Sequence, residues 1–432
     1  MSCTVIVGTQ FGDEGKGKVV DYYSKDMDII ARYNGGANAG HTVVVGQEKF
    51  ALRLLPSGVL RKEKMVVIGN GVVIDPAVFF LEIEDLKRRG VKHAKIVISD
   101  RAHIVMPYHK LLDEIEERFK GSLRAGTTKR GIGPCYSDKV ARFGIRVCDL
   151  LDEEILDAKL DSFIPVKERI FTGYNEKVTL SKTQLKEKYL DYGEKLSSYV
   201  TDTIVLLNES LQKNQHILLE GAQGTHLDID YGIYPFGTSS NTVSGGACTG
   251  SGIPPTKINR VIGVVKGYTS RVGTGPFPTE LKDNLGEYIR EKGGEYGTVT
   301  KRPRRCGWLD LVMVNYSIRV NGISSLALTK MDVLSGLEKI KVCVAYEYDG
   351  NELKDFPANM RILRKCKPVY ELVDGWEDCS KQKWCSFVEK GFEALPENFQ
   401  HYIEYVEEKT SIPVKLVSFG PERQLTLSRN EY

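Results

Sequence analysis

The chain has 432 residues, of which 41% are hydrophobic and 27% are charged. These are the proportions of a globular protein with a large core, so a disordered chain is excluded. The 60 Lys and Arg residues against 57 Asp and Glu leave a formal charge of only +3, which argues against a surface that coats nucleic acid or is drawn to a membrane.

The N-terminal residues and the cysteines predict where the protein works. Met1, Ser2 and Cys3 pass directly into a strand-like run without a basic and apolar leader, and no run of about eighteen apolar residues occurs. The nine cysteines form no C-x-x-C pair, and a chain of this size folds without disulfides. The histidines show no zinc-ligand spacing. We therefore expect a cytoplasmic protein without a structural zinc.

Short apolar runs alternate with amphipathic helical stretches along the chain. The strand-like runs are residues 4–8, 29–32, 65–68, 95–99, 216–220, 261–266, 325–329, 339–346 and 414–419. Pro76 opens a helical pattern that Gly90 closes, and Pro107 opens another that runs to Lys120. This alternation predicts an α/β fold with a large, mostly parallel, doubly wound sheet.

Residues 150–213 differ from the rest of the chain. They are rich in Lys and Glu, have helical spacing and contain few strand-like runs, which predicts a largely helical insertion. The chain shows no internal repeat and no low-complexity linker. We therefore predict a single α/β domain over residues 1–432, with the insertion at about 150–213.

The first strand leads into a glycine-rich loop and then a helix. Gly12 to Lys18 read G-x-x-x-x-G-K, a P-loop-NTPase-like pattern in which inward-pointing amides and the helix dipole hold phosphates. A Walker loop has Ser or Thr after the lysine to hold magnesium, but Val19 has no side-chain oxygen. Asp13 is the candidate oxygen donor instead. An ordinary glycine-rich turn with solvated charges is the alternative.

A second candidate follows the run 325–329, in the sequence Thr329, Lys330, Met331, Asp332. A carboxylate there can accept hydrogen bonds from the ring N–H and the exocyclic amine of guanine, whereas adenine presents a different edge. Each hydrogen bond to a charged group contributes about 1.5 to 3 kcal/mol, so the presence of Asp332 predicts that the site prefers GTP to ATP. Alone, this tetrapeptide is typical of a solvated turn, and its weight comes from the phosphate loop.

Further motifs occur in order along the chain. They are Asn38-Ala39-Gly40-His41-Thr42, Gly126-Thr127-Thr128-Lys129-Arg130-Gly131-Ile132-Gly133-Pro134, Glu220-Gly221-Ala222-Gln223-Gly224 and Arg302-Pro303-Arg304-Arg305. Together with the phosphate loop, they give the chain a sequence that closely resembles the adenylosuccinate synthetase family over essentially its whole length.

The resemblance implies a carbon–nitrogen ligase. Such an enzyme joins IMP to L-aspartate with hydrolysis of GTP and forms adenylosuccinate, GDP and phosphate through a 6-phosphoryl-IMP intermediate. This is the first committed step of AMP synthesis from IMP. The resemblance also implies Mg²⁺ as cofactor and GTP as co-substrate. It further implies a homodimer in which Arg142 reaches the neighbouring active site, with no nucleic-acid or membrane partner.

The resemblance also assigns site residues. Asp13 would remove the N1 proton of IMP, His41 would protonate or polarise O6, and Asp13 with the Gly40 carbonyl would bind the metal. The residues implied for GTP are Gly12, Asp13, Glu14, Gly15, Lys16, Gly17, Lys18, Gly40, His41, Thr42, Arg304, Lys330, Met331, Asp332, Ser418, Phe419 and Gly420. Those for IMP are Asp13, Glu14, Gly15, Lys16, Asn38, Ala39, Gly40, His41, Thr128, Arg142, Gln223, Thr238 and Arg302. Those for aspartate are Thr298, Val299, Thr300, Lys301, Arg302, Pro303 and Arg304.

The chemistry of Asp13 and His41 supports this assignment. A carboxylate with a pKa near 3.9 is a poor base toward a weakly acidic ring N–H, so a partner must stabilise the developing oxyanion. His41 can donate to O6, and an ordinary pKa near 6.5 would leave it about a quarter protonated at pH 7. Phe11, Val299 and Phe419 depart from the residues common in the family at these positions.

The basic run of residues 301–305 could be a nucleic-acid or localisation patch. It lacks interleaved aromatic residues, so we favour recognition of carboxylates and phosphates by the arginines. We expect this run of residues 301–305 to be mobile without ligands. Two rival functions remain: a regulatory GTP-binding switch, which would leave the turn at His41 and the arginine run without a role, and a nucleic-acid-binding module.

Overall fold

The computed structural model describes residues 2–46, 48–297 and 302–429. Its strands are β1 (Cys3–Gly8), β2 (Ile29–Arg32), β3 (His41–Val45), β4 (Glu48–Leu52), β5 (Met65–Ile68), β6 (Val73–Ile74), β7 (Lys95–Ser99), β8 (His103–Ile104), β9 (Val200–Thr201), β10 (Ile217–Glu220), β11 (Arg260–Lys266), β12 (Thr269–Arg271), β13 (Arg305–Gly307), β14 (Leu309–Asp310), β15 (Ser325–Thr329), β16 (Lys339–Tyr348), β17 (Asn351–Leu353), β18 (Lys367–Asp374), β19 (Val414–Ser418) and β20 (Thr426–Ser428). Its α-helices are α1 (Lys16–Tyr23), α2 (Pro76–Arg88), α3 (Pro107–Phe119), α4 (Ile132–Ala141), α5 (Glu153–Gly173), α6 (Lys182–Leu196), α7 (Thr203–Gln212), α8 (Ser244–Ser251), α9 (Asn284–Gly293), α10 (Leu311–Asn321), α11 (Met360–Leu363), α12 (Lys381–Lys390) and α13 (Glu397–Thr410).

Ten strands form one sheet in the order β20-β19-β15-β11-β1-β10-β2-β5-β7-β9. Its neighbouring strands run parallel, apart from the antiparallel edge pair β19 and β20. The α/β prediction of a large, mostly parallel, doubly wound sheet is confirmed. The central strand β1 is buried on both faces, since Ile6 packs into one core cluster and Val5 and Val7 into another.

One predicted strand lies elsewhere. We expected residues 339–346 to join the main sheet, but β16 belongs to a second sheet, where it pairs antiparallel with β17 and β18. The prediction was wrong because an apolar run alone does not distinguish the two environments. Along β16 exposed and buried positions alternate at the start of the strand, which is typical of an antiparallel strand with one solvated face, whereas β15 is buried throughout.

Helix boundaries follow local signals in the sequence. Pro76 and Pro107 are the first residues of α2 and α3, where a missing N–H has no cost. Asp152 and Asp202 cap α5 and α7 by accepting backbone N–H hydrogen bonds.

Residues 150–213 contain α5, α6, α7 and the short edge strand β9. Their description as an insertion into a single domain stays a prediction.

The parallel sheet gathers the motifs at one edge. The carboxyl ends of β1, β2, β10 and β15 lie on the same side of the sheet because these strands are parallel. The segments that follow them contain the phosphate loop, the turn before His41, the 220–224 motif and the Lys330 to Asp332 turn. Ligands bind at this edge in open α/β sheets.

Candidate active site

A cavity of about 960 Å³ opens at the carboxyl edge of the sheet. Its lining contains most of the residues that the sequence predicts for ligands. These are Gly12, Asp13, Gly15, Lys16, Gly17, Lys18, Asn38, Ala39, Gly40, His41, Thr42, Thr128, Gln223, Thr238, Arg302, Arg304, Lys330, Asp332, Ser418 and Gly420. Segments far apart in the chain therefore form one site, and its volume is at the upper end of the roughly 300–1,000 Å³ of small-molecule pockets.

The phosphate loop has a left-handed backbone at Gly12, Asp13 and Gly15, with φ of 83°, 60° and 86°. A Cβ on Gly12 would also lie 3.3 Å from the Cα of Gln223, so this position needs glycine. Asp13 is one of the few non-glycine residue types that adopt this conformation readily. Helix α1 begins directly after the loop at Lys16, which places the positive end of its dipole at the cavity.

The side chain of Glu14 lies inside the loop and does not line the cavity. Its carboxylate accepts hydrogen bonds from the backbone N–H of Gln10 at 3.0 Å and of Gly12 at 2.8 Å, and from Lys16 Nζ at 2.6 Å. These contacts stabilise the loop from within. The Glu14 side chain is therefore turned away from the ligands for which the sequence predicted it.

Lys18, the lysine of the G-x-x-x-x-G-K pattern, contacts the turn that follows β19. Its Nζ donates to the carbonyls of Phe419, Gly420 and Leu425 at 3.0, 3.1 and 2.8 Å. Burial lowers the pKa of Lys18 to about 7, against the opposing effect of nearby carboxylates such as Asp332. In this structure Lys18 fixes the turn at Gly420, whereas the motif alone predicted a contact with phosphate.

Asp13 is the exposed carboxylate of the loop. Its Oδ2 lies 2.9 Å from Arg304 Nε, but this ion pair lacks hydrogen-bond geometry, since that nitrogen has no hydrogen-bond partner. Arg304 is instead anchored by a 2.8 Å hydrogen bond from its Nη1 to Glu295 Oε2. Asp13 is thus held near Arg304 by charge alone and stays available to a metal or a substrate proton.

His41 begins β3 and packs against the first turn of α1, where a Cβ on Gly17 would lie only 3.2 Å from His41 Cβ. Burial lowers the pKa of His41 to about 3, and the cations of Arg32 and Lys16 add to the shift. The expectation of about a quarter protonation at pH 7 is therefore wrong for the ligand-free protein. Its neutral ring keeps Nε2 buried without a hydrogen-bond partner, 3.9 Å from Glu220 Oε1.

Asp332 and Lys330 line the cavity just after β15. Asp332 Oδ1 is buried without a hydrogen-bond partner, so it is free to accept from a ligand. Met331 and Phe419 were also predicted to bind GTP, but both side chains are fully buried in the core. The Phe419 ring stacks on Trp384 with ring centroids 4.3 Å apart. Only the backbone of these two residues is left to meet a nucleotide.

Several residues predicted for IMP line the same cavity. Asn38 Oδ1 and both amide atoms of Gln223 are buried without partners, and Gln223 has a left-handed backbone with φ of 61°. Thr128 and Thr238 line the same cavity, while Arg302 Nη2 donates to the carbonyl of Gly126 at 2.9 Å. Unpartnered buried amides are rare in proteins and indicate a ligand that completes their hydrogen bonds.

Several predicted residues lie outside this arrangement. Arg142 directly follows α4 with a left-handed backbone, is exposed and does not line the cavity. Arg305 pairs through two hydrogen bonds with Glu280, at 2.6 and 2.7 Å. Pro303 makes a backbone bridge to Tyr296. The predicted aspartate-binding residues Thr298, Val299, Thr300 and Lys301 lie outside the described residues. The expected mobility of residues 301–305 stays a prediction.

The donors at Asp13 and Gly40 fit the predicted magnesium. Both residues line the cavity and offer the carboxylate and carbonyl oxygens that Mg²⁺ prefers. Within the described ranges there is no group of three or more His, Cys, Asp or Glu side chains that could hold an ion by themselves. An ion at Asp13 would therefore depend on phosphate and water oxygens, as is usual for Mg²⁺ with nucleotides.

Sequence reasoning gave no role to three charged residues, of which Arg32 and Glu220 line the cavity and Glu295 lies behind it. Arg32 ends β2 and donates from Nη2 to the carbonyl of Gly36 at 2.9 Å, which shapes the turn before His41. Glu220 ends β10, and its carboxylate accepts from the N–H and hydroxyl of Ser57, each at 2.8 Å. Glu295 is fully buried behind Arg304. A charged residue at the end of an otherwise apolar strand was the signal that could have identified the first two.

Fold and site together define a nucleotide-dependent α/β enzyme with a glycine-rich phosphate loop at the carboxyl edge of a parallel sheet. The family model of adenylosuccinate synthetase matches residues 5–427. Adenylosuccinate synthetases of Caldicellulosiruptor bescii and Acetivibrio thermocellus are 54% and 51% identical to this chain, over 97% and 100% of both proteins. The structure of fully ligated adenylosuccinate synthetase from Plasmodium falciparum is similar with a TM-score of 0.91 and 42% identity, over 99% of each chain. This chain belongs to the adenylosuccinate synthetase family, which confirms the predicted family and ligase class.

Proposed function

We propose that this chain joins IMP to L-aspartate with hydrolysis of GTP and forms adenylosuccinate, GDP and phosphate in the synthesis of AMP. The observation that carries the proposal is the convergence of unpartnered buried polar atoms on one cavity beside Asp13. These atoms belong to Asn38, His41, Gln223 and Asp332. Each would leave a hydrogen bond unmade unless a polar ligand occupied the cavity.

In the first step, Asp13 takes the N1 proton of IMP while His41 acts on O6. Because His41 is neutral in the free protein and its other ring nitrogen donates to the Leu55 carbonyl, Nε2 gains the proton that it gives to O6 only after anionic ligands raise the pKa of His41. O6 then attacks the γ-phosphorus of GTP and releases GDP. A donor at O6 and an acceptor at N1 of IMP act together, because stabilising the oxygen lowers the barrier to removal of the N1 proton. Asp13 alone could not overcome that barrier.

In the second step, the amino group of aspartate attacks C6 and phosphate leaves with the O6 oxygen. Arg302 and the segment 298–304 hold the aspartate carboxylates, because planar guanidinium groups match carboxylates with two parallel hydrogen bonds. Arg304 contacts GTP, and Asp332 accepts hydrogen bonds from guanine. Mg²⁺ held by Asp13 and Gly40 would neutralise charge that develops on the phosphates.

The assembly and location belong to the same proposal. The exposed Arg142 reaches the active site of a second copy in a homodimer, which accounts for its distance from the cavity of its own chain. No α-helix in the described part of the chain is both long and apolar enough to cross a bilayer, and all nine cysteines are free thiols. We place the enzyme in the cytoplasm without membrane or nucleic-acid partners.

Phosphate release from GTP and Mg²⁺ tests the function directly. IMP and L-aspartate are each omitted in turn, and the nucleotide products are separated and identified. The proposal requires phosphate release that depends on IMP and formation of adenylosuccinate that depends on both. Release that needs neither substrate would identify a GTP switch instead.

A further inference from the structure

Glu295 lies behind the cavity in a cluster of buried charges. The residue is fully buried, and its carboxylate receives hydrogen bonds from three cations among the described residues. Oε1 lies 3.0 Å from Lys266 Nζ and 2.9 Å from Lys330 Nζ, and Oε2 lies 2.8 Å from Arg304 Nη1. Burial alone would raise the pKa of Glu295, but these three charges hold it well below its ordinary value. The three cations therefore favour the ionised form of the carboxylate.

The three cations come from three different segments. Lys266 ends β11, Lys330 precedes the turn that carries Asp332, and Arg304 adjoins Asp13. Two hydroxyl groups complete the cluster, since Tyr268 donates to Oε1 and Ser270 donates to Oε2 at 3.1 Å. One side chain thus joins the guanine side of the cavity to the side that contains Asp13.

The backbone at Glu295 adds a second link. The N–H of Arg304 donates to the carbonyl of Glu295 at 2.9 Å, and the N–H of Gly297 donates to the carbonyl of Arg302 at 2.8 Å. Residues 295–297 and 302–304 therefore form the two legs of a hairpin. Glu295 is at the base of this hairpin, whose arginines are the predicted ligands of aspartate.

We propose that Glu295 is a positioning residue that couples guanine-nucleotide binding to aspartate binding, by holding Lys330 and the arginine hairpin on one buried carboxylate. The proposal rests on the proposed function for the identity of the two ligands. A shift of Lys330 when the base binds alters its contact with Oε1, and the same carboxylate orients Arg304 through Oε2. Groups that share one hydrogen-bond network are energetically coupled, unlike groups that are far apart.

The test uses the full-length chain with Glu295→Gln, which keeps the size of the side chain and removes its charge. We expect the affinity for GDP, measured by calorimetry without turnover, to fall about tenfold and the KM for aspartate to rise about tenfold, with the KM for IMP within about twofold.

Asp310→Asn is the matched control. Asp310 is an equally buried carboxylate that caps α10 and accepts from Tyr346 at 2.7 Å. The Asp310→Asn variant should lower Tm and leave the affinity for GDP, the KM for aspartate and the KM for IMP unchanged.

A second variant, Lys330→Met, tests the same coupling if Glu295→Gln does not fold. The Lys330 side chain is partly exposed, and its replacement should raise the KM for aspartate about threefold in addition to weakening GDP, because coupled partners respond together. A change in GDP affinity alone would overturn the coupling, and so would Glu295→Gln with unchanged GDP and aspartate constants. A wild-type chain that releases phosphate without IMP or aspartate would defeat the proposed function instead.

Discussion

Two buried carboxylates show how similar contacts serve different ends. Asp138 lies in α4, accepts a 2.8 Å hydrogen bond from His109 Nε2 in α3, and pairs with Lys167 of α5. Glu295 lies beside the cavity and pairs with Lys266, Lys330 and Arg304. Both carboxylates are buried, and in both cases neighbouring side chains lower the carboxyl pKa against the effect of burial.

The difference between the two clusters is their charge. Burial lowers the pKa of His109, so it is neutral and Asp138 balances the single cation Lys167. Glu295 alone faces three cations, and Asp13 supplies the next carboxylate toward the cavity. A balanced cluster stabilises the packing of three helices. A cluster with excess positive charge beside a cavity attracts anionic ligands, which fits the phosphates and carboxylates of the proposed substrates.

The largest expected effect is at Asp13. Asparagine tolerates the left-handed backbone, so Asp13→Asn removes the base and the charge without straining the loop. We expect phosphate release dependent on IMP to fall at least about a thousandfold, the range of general-base catalysis. Tm should stay close to that of the wild type. Retention of a tenth of the activity would show that Asp13 is not the base.

Lys167 tests the balanced cluster. Lys167→Met leaves Asp138 buried without its cation, and breaking such a pair should lower the free energy of unfolding by about 3 kcal/mol. Urea unfolding measures this loss, and steady-state kinetics at low temperature should give unchanged KM values. An altered KM for GTP or aspartate would mean that this cluster also serves the cavity.

Asp332 tests base recognition. Asp332→Asn replaces the unpartnered acceptor Oδ1 by an amide that also donates, so GTP should bind roughly a hundredfold more weakly and ATP should be discriminated less. Competition between the two nucleotides measures the change. A preference for GTP equal to that of the wild type would place base recognition elsewhere.

The smallest expected effect is on stability, and it concerns how the free energy of unfolding changes with pH when His41 is replaced. Its pKa in the folded protein is lowered to about 3, below the ordinary 6.5, so the neutral form stabilises the fold above pH 6.5 and this stability is lost as the pH falls toward 3. Below pH 6.5 the loss is about 1.4 kcal/mol per pH unit for each such histidine. Urea unfolding between about pH 5 and 7 should give a shallower slope for His41→Gln than for the wild type. Equal slopes would contradict the burial of a neutral His41.

Much of the fold could be predicted because its local signals agree with its tertiary structure. Buried parallel strands such as β15 are continuous apolar runs, and Pro76 and Pro107 mark helix starts. The strand β16 was misplaced because short apolar runs do not reveal which sheet they join. Strand pairing depends on contacts between residues far apart in sequence, which a pattern in one segment does not contain.

In the candidate site, too, some residues could be predicted from the sequence and others could not. Asp13, His41 and Asp332 stand in short motifs whose chemistry is readable from residue types. The directions of Lys18 and Glu14 were not readable, because both are fixed by partners that only the folded chain brings near, such as the Gly420 carbonyl. The neutral state of His41 follows from burial and from Arg32, which is close to it only in the folded chain.

The most direct measurement follows the O6 oxygen of IMP. IMP labelled at O6 with a heavy oxygen isotope is incubated with GTP, Mg²⁺ and L-aspartate, and the released phosphate is analysed by mass spectrometry. If Asp13 and His41 activate O6 for attack on the γ-phosphorus, the label appears in the phosphate in proportion to the adenylosuccinate formed. Phosphate that carries oxygen only from water or from GTP would contradict this mechanism.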